Sequence, residues 1–490
     1  MRKLTNVLLI WMLSVSIYAQ LAPRENEKGK FGYVNDEGQF VIKAQFDEAG
    51  DFFNGIASVK KGSQYGFINE SGEYKIKPKY TSVGAFNEFG LCKVSVGGSV
   101  DKNTDELIGA NYGFIDKNAN EVVKPKYALI GQFDEKGICQ VNVGGKKDKK
   151  TDKIVGGKWG YLKSNGDELT KIEYTNVQTT FSADGYAWVQ KGKKYGYINT
   201  KGKEVTPLKY DGAFPFADGC AAVSVKGKKN MLFGFIDTNG KEIVELVYED
   251  CITQFVNTYS AIKKDGKWAI INTDGKTVSG FDYKEVIVPS NNGGHFFVTK
   301  DGKKDEDGGI QSGSWGIINS TGQLITPLKY RSIEKFNDEN LAMVSDGSSS
   351  WGWIDLKGEE VIPLKHSKAY DFKDGLATVI KDRRASWINP QNETVLKTDY
   401  LDATVFDNNG IAGVKNDSRK WGGIDKKGNV MIPFVVETPE EVQEMTNLFY
   451  VQNGKKPLTK RHTKLYRLYK DRPQDKFKIK DIIPNDMWDF

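Results

Sequence analysis

The sequence predicts an all-β protein: a tandem array of about eleven three-stranded β-meander repeats, propeller-like blades in an open superhelix or in rings, with a short helical and irregular C-terminal tail. Three observations lead there. An aromatic–Gly pair followed by two apolar residues and Asn or Asp recurs along the 490 residues. A second glycine keeps register with the first in most copies. Finally, 52 glycines against 14 prolines favour many tight turns between short strands. The chain is also too long for one ordinary core, so several domains or a repeat array are expected.

The first element in chain order is a targeting segment. Arg2 and Lys3 precede an apolar run from Leu4 to Ile17, and the small residue Ala19 precedes Gln20. This is the layout of a secretory signal peptide, residues 1–19, cleaved after Ala19. The apolar run is short of the ~20 residues that span a bilayer. No cysteine follows it, which argues against a lipoprotein anchor. No second apolar stretch approaches spanning length, so the expected mature chain is exported, with no transmembrane segment, to the periplasm, the outer membrane or the medium.

The array follows, over residues 30–434. Its signature pairs are Phe31–Gly32, Tyr65–Gly66, Tyr112–Gly113, Trp159–Gly160, Tyr195–Gly196, Phe233–Gly234, Trp315–Gly316, Trp351–Gly352 and Trp421–Gly422. Trp268 with Ala269, and Ala385 with Ser386, are degenerate copies. Copies are spaced by 34 to 38 residues, or by 47 where an insertion is present. Six residues after the pair's glycine comes a turn glycine, as at Gly38, Gly72 and Gly322. An apolar run ending in tyrosine follows, such as "KIKPKY" at Lys75. A Gly-apolar-small-x-Val segment closes the unit, as at Gly55, Gly90, Gly185, Gly375 and Gly410. Alternation over four to six positions supports strands rather than helix. One such unit cannot cover its own apolar face, so each must pack on its neighbours.

These residues resemble the WG-repeat family of bacterial proteins, named for the aromatic–Gly pair. The resemblance runs from about Lys30 to Phe434 and implies the repeat class, not a particular function. The copies at Ala269 and at Ala385–Ser386 depart from the pattern and are expected to pack or turn differently there.

Three units are lengthened. Two insertions match each other, "DKNTDELIG" from Asp101 and "DKKTDKIVG" from Asp148. In successive units their tips would lie side by side, a bipartite contact surface or two inert hairpin extensions. The third, from Lys300, is polar and unrelated in sequence. Its "DEDGG" lacks the ligand spacing of an EF-hand loop. From Thr438 to the end at 490 the pattern changes to a basic tail. Thr438, Pro439 and Glu441 form a capping-box start for a short helix to about Tyr450. The basic stretch beyond carries Lys460, Arg461, Lys464 and Arg467, read as a candidate anionic-surface grip or a solvated cap.

Catalytic signals are lacking. Three scattered histidines have no metal-ligand spacing, and no HExxH, paired CxxC, GxSxG or phosphate-binding loop is present, so no cofactor or metal is expected. The net charge of +6 is too dispersed for nucleic acid. Cys92 and Cys139 hold the small-residue position of Ala57, Ala187, Ala377 and Ala412, and read as buried free thiols, with a bridge between the two left open. Trp188, Trp353 and Trp387, outside the pattern, are read as candidates for an exposed partner-binding surface. The expected function is a non-catalytic binding or scaffold protein of the bacterial envelope or secreted fraction, presenting its repeats to a protein partner. The alternatives are a glycan-binding module acting on envelope polysaccharide through exposed aromatics, and a hydrolase with its site in the array's central cleft.

Overall fold

A computed structural model describes residues 21–100, 106–148, 150–151, 153–289 and 294–470. The signal peptide expected at 1–19 and the tail's last stretch, 471–490, lie outside the described residues. The chain divides into two compact units, residues 1–226 with 236–242, and residues 227–235 with 243–490. Both are all-β up to the C-terminal tail. Among the described residues, five antiparallel sheets of three or four strands lie within the first unit and five within the second.

Each sheet is built from the repeat's own chemistry. In one of them, Gln64–Asn69 turns into Tyr74–Tyr80. Asn69 Oδ1 accepts from the amides of Ser71 (3.1 Å) and Glu73 (2.9 Å), and Gly72 takes the left-handed conformation at φ +79°. The Asn or Asp that ends the motif is therefore a turn former, closing a hairpin that needs φ > 0 three residues later. Asp355 and Asp425 repeat the arrangement. The two copies without the turn glycine place Ala119 (φ 64°) and Asn392 (φ 63°) in the same conformation.

The pair's glycine answers to a different constraint. Tyr65 pairs with Tyr80 and Phe67 with Ile76, so the partner strand carries extra residues opposite Gly66 and bulges over it. A Cβ on Gly66 would lie 2.5 Å from Ile76 O and 2.7 Å from Pro78 N. The proline of "KIKPKY" sits in that bulge, where it costs no ladder hydrogen bond. The degenerate copy shows the converse. Ser386 and Trp387 pair in unbroken register with Lys397 and Leu396, and that partner strand has no proline and no bulge over Ser386. With the backbone withdrawn, a side chain fits.

Two features differ from the sequence expectation. A sheet starts half a repeat before the aromatic pair, because the Gly-apolar-small-x-Val strand, Ile56–Lys61, pairs with the aromatic–Gly strand that follows it. A two-residue edge strand, Glu48–Ala49, extends the three-stranded meander to four. This phase leaves the first sheet short of a strand, and Ala22–Glu25 supplies it, pairing with Phe31–Val34.

The second difference corrects a functional reading. Trp353 and Trp387 are not surface residues; each is 0% exposed. Both stand two residues after the pair's first position. A strand's period of two puts that position on the pair's face, deeper in the core, where other copies hold Tyr33, Phe67, Tyr161 and Tyr197. The pair's own aromatic stays partly exposed in most copies, as at Tyr65 and Tyr195. The deeper ring meets a phenylalanine from the next linker: Tyr33 with Phe52 (4.7 Å between centroids), Tyr197 with Phe216 (5.0 Å), Trp353 with Phe372 (5.4 Å), Trp387 with Phe406 (5.1 Å). Adjacent strand residues face opposite neighbours. Ile68 packs back on Tyr33, Ile42 and Phe46, while Phe67 packs forward on Cys92, Val94 and Ile115. The sheet Gln64–Tyr80 thus shares one core cluster with the sheet before it and another with the sheet after it.

A polar clamp repeats across these junctions. The Tyr80 hydroxyl donates to Glu121 Oε1 at 2.7 Å, and Lys79 pairs with the same oxygen at 3.0 Å. Tyr127 and Lys126 hold Glu168 likewise, and Lys329 holds Glu360. Such half-exposed ion pairs contribute about 0–1 kcal/mol each. One junction in the second unit lacks both partners: His366 stands at the tyrosine position, opposite Trp351, and Thr394 at the glutamate position, opposite Ile388. His366 is buried, and neither ring nitrogen has a hydrogen-bond partner among the described residues. Burial, with Lys365 and Lys381 nearby, pushes its pKa down to about 4. An unfolded histidine titrates near 6.5, so between about pH 6.5 and 4 the unfolded chain binds the extra proton and stability falls as pH falls. The melting temperature of His366→Tyr should therefore exceed that of the native chain by a margin that widens from pH 7.5 to pH 4.5, read by scanning calorimetry.

The last sheet is capped by helices. Helix α1, Pro439–Met445, starts on the expected capping box, Thr438 Oγ1 accepting from Glu441 N at 3.3 Å. A π-helical turn, Thr446–Tyr450, follows. Helix α2, Lys460–Lys470, was not expected from the sequence. Its Tyr466 is buried against Trp421, Ile432 and Met445 and donates to Glu444 Oε2 at 2.6 Å. All four cysteines are buried and outside any disulfide. Burial raises the Cys92 thiol pKa to about 11 and that of Cys139 to about 12, and the two lie in different core clusters.

Candidate functional site

The insertions leave the sheets at one equivalent place, the turn between the small-x-Val strand and the aromatic–Gly strand. The first forms a hairpin of Ser99–Val100 with Leu107–Ile108, and its matching copy one of Lys146–Lys147 with Ile154–Val155. The unrelated third insertion forms a hairpin too, Lys303–Lys304 with Ile310–Ser312. Glycines allow each departure. A Cβ on Gly157 would lie 2.4 Å from Gly145 N, and one on Gly98 2.8 Å from Ala110 N. In the second hairpin the buried Asn142 fastens the base, accepting from Gly145 N (2.8 Å) and donating to Gly156 O (3.1 Å). Asp148 closes the tip by accepting from the amides of Lys150 and Thr151.

The two matching hairpins lie side by side in the first unit. Lys147 of one pairs with Glu106 of the other at 2.5 Å. Between them opens a groove of about 710 Å³. Leu107, Ile108, Leu129, Ile130 and Ile154 give it apolar walls, and Tyr112 adds an aromatic ring. Among the described residues its charged lining is Lys93, Lys146 and Lys147, with no carboxylate.

Lys93 is the unusual member. It sits on the strand Leu91–Val96, half-buried, opposite the buried Phe114. Its ammonium donates to Ile130 O at 2.8 Å and lies 4.7 Å from the centre of the Tyr112 ring. Burial holds its pKa below the ordinary lysine value. In the first unit the same register position carries Ser58, Lys93, Gln140 and Trp188, all half-buried, and then the buried Ala222. In the second unit it carries Ala261, Phe297, Met343 and Thr378, all buried.

Of the residues singled out from sequence, Trp188 therefore belongs to a partly open row with Lys93, its ring 5.6 Å from that of Tyr195. Trp353 and Trp387 are core. Lys460, Arg461, Lys464 and Arg467 are exposed on α2, in the second unit, whereas the groove belongs to the first. Sequence reasoning found the twin insertions but missed Lys93. Its register position varies from copy to copy, so the repeat pattern gave no reason to single it out. Among the described residues no cluster of His, Cys, Asp and Glu is arranged to hold a metal ion, and no helix is long and apolar enough to cross a membrane.

Comparison with known families matches a model described as "WG containing repeat" nine times, over residues 31–65, 65–99, 112–146, 159–195, 195–228, 233–268, 315–348, 351–383 and 386–419. The degenerate copy at Ser386 is among them. No curated protein matches the chain. Among solved structures, a eukaryotic initiation factor is similar at 10% identity and a TM-score of 0.32, over 71% of this chain and 96% of that one. The computationally designed Ika8 protein is similar at 11% identity and a TM-score of 0.24, over 63% of this chain and 100% of that one. BamB from Moraxella catarrhalis is similar at 12% identity and a TM-score of 0.23, over 59% of this chain and 93% of that one.

Proposed function

Because the chain belongs to the WG containing repeat family, we propose that it is a non-catalytic binding or scaffold protein of the bacterial envelope or secreted fraction, holding a protein partner on its repeat surface. The observation that carries this reading is the pair of matching hairpins on consecutive sheets, tied by Lys147 and Glu106 and flanking an open groove. A repeat array lends itself to such a role, because contacts add along the stack. Export rests on the basic and apolar N-terminal segment ending at Ala19. Burial of Trp353 and Trp387 removes two of the three aromatics on which glycan stacking would rest.

The test is chemical cross-linking and affinity capture from the native envelope fraction, using the chain from Gln20 onward. A second bait has both hairpins trimmed to tight turns, and a third has Lys460, Lys464 and Arg467 changed to Glu. The expected result is one protein captured by the first and third baits and lost by the second. Recovery of polysaccharide without protein would refute the reading, and loss only with the third bait would move the contact to α2. A native N-terminus at Met1 rather than Gln20 would refute export with cleavage.

A further inference from the structure

We infer that the groove between the twin hairpins binds an extended acidic segment of a protein, adding it as a strand and pairing one of its carboxylates with Lys93. This deepens the scaffold reading and rests on it. Two independent features point to an extended chain with negative charge.

The first is backbone. Among the described residues Leu129–Ile130 is an edge strand of its sheet, its Ile130 carbonyl held by Lys93, and the hairpin strand Leu107–Ile108 belongs to a two-stranded sheet. These two edge strands border one groove. Unpaired strand edges are templates for an added strand, in which main-chain bonds supply affinity and alternate side chains supply specificity. The apolar walls fit the alternate side chains that such a strand would turn inward.

The second is charge. Among the described residues the lining holds three ammonium groups and no carboxylate. Lys147 is neutralised by Glu106. Lys93 is half-buried; its ammonium meets a carbonyl and the face of a ring, with the buried Cys139 thiol near it. Taking an ammonium out of water is costly unless an anion approaches it. A carboxylate in the groove would complete that site, with Lys146 at its rim as a second attraction. The Tyr112 ring and the Ile130 carbonyl fix the amine's position in advance, so little ordering is left for the moment of binding.

The test uses the full chain from Gln20 and two fluorescein-labelled synthetic peptides, alternating Val-Asp and alternating Val-Lys hexamers, followed by anisotropy. The expected result is binding of the acidic peptide, weakened at least tenfold by Lys93→Met, largely retained by Lys93→Arg, and weakened by salt. The Val-Lys peptide should not bind. Unchanged melting of Lys93→Met serves as the folding control, and methionine suits a site that desolvates the lysine. Failure of the acidic peptide to bind, or equal binding by Lys93→Met, overturns the inference. So does stronger Lys93-dependent binding of inorganic phosphate or sodium polygalacturonate, which would make the groove a small-anion or uronate site. A partner captured equally by native chain and Lys93→Met would defeat this inference and leave the scaffold reading standing; no protein captured by either would defeat the scaffold reading itself.

Discussion

Gly113→Ala is expected to destabilise the first unit by about 3 kcal/mol, although it adds a single methyl group. The new Cβ would lie 2.3 Å from Val123 O, 2.7 Å from Pro125 N and 2.9 Å from Lys124 C. All three are backbone atoms of the bulged partner strand, so no side chain can rotate away. Either the bulge flattens, turning the strand's apolar residues to the wrong face, or the two strands separate. Gly90→Ala provides the contrast. Gly90 has φ +71° but nothing within 4 Å of a Cβ, so only the left-handed conformation is penalised, at about 1 kcal/mol. Urea unfolding followed by far-UV circular dichroism separates the two. Equal losses would mean that the bulge is not what selects the pair's glycine.

The same contrast explains how much could be read in advance. The repeat, its strands and its turns were legible because each rests on a local rule: a turn Asn or Asp, a glycine at φ > 0, a period of two. The phase of the sheets was not. A tandem repeat has no beginning of its own, and whether Ile56–Lys61 pairs with the aromatic strand before or after it depends on long-range hydrogen bonding. The contribution of Ala22–Glu25 to the first sheet was hidden for the same reason. Trp353 and Trp387 were misplaced because the pattern was anchored on the pair's aromatic alone. Tyr33 and Phe67, two residues along in other copies, were the available signal. Helix α2 was obscured by its charge, since among its described side chains only Thr463 and Tyr466 are buried. At the candidate site the twin insertions announced themselves by matching. The groove's floor did not, because it joins residues of two repeats, and Lys93 matters through burial that no linear pattern encodes.

Deleting residues 315–350, which joins Ser314 to Trp351, is expected to leave a folded, cooperatively melting protein of lower stability. Deleting 332–350 is expected to abolish folding of the second unit. In the first variant Trp351–Ile354 takes the place of Trp315–Ile318 beside Phe296–Thr299. Gly352 then stands where Gly316 stood. Ile354 replaces Ile318 on the cluster of Ile270, Val286 and Val298, and Trp353 still packs forward on Ala377 and Val379. What is lost is one sheet's share of the common core. The shorter deletion removes fewer residues but takes Ala342–Ser345, the hairpin partner of Trp351–Ile354, together with the edge strand Ser332–Ile333. Two aromatic–Gly strands then follow one another with no small-x-Val strand between them. The second has a bare edge, and the faces of the sheets beyond it fall out of step. In a stack held by nearest-neighbour interfaces, a whole period subtracts one interface term, whereas half a period breaks the pairing on which every later interface depends. Thermal melts of the two purified variants decide the matter. Equal tolerance of both deletions would mean that the sheets do not stabilise one another through this register.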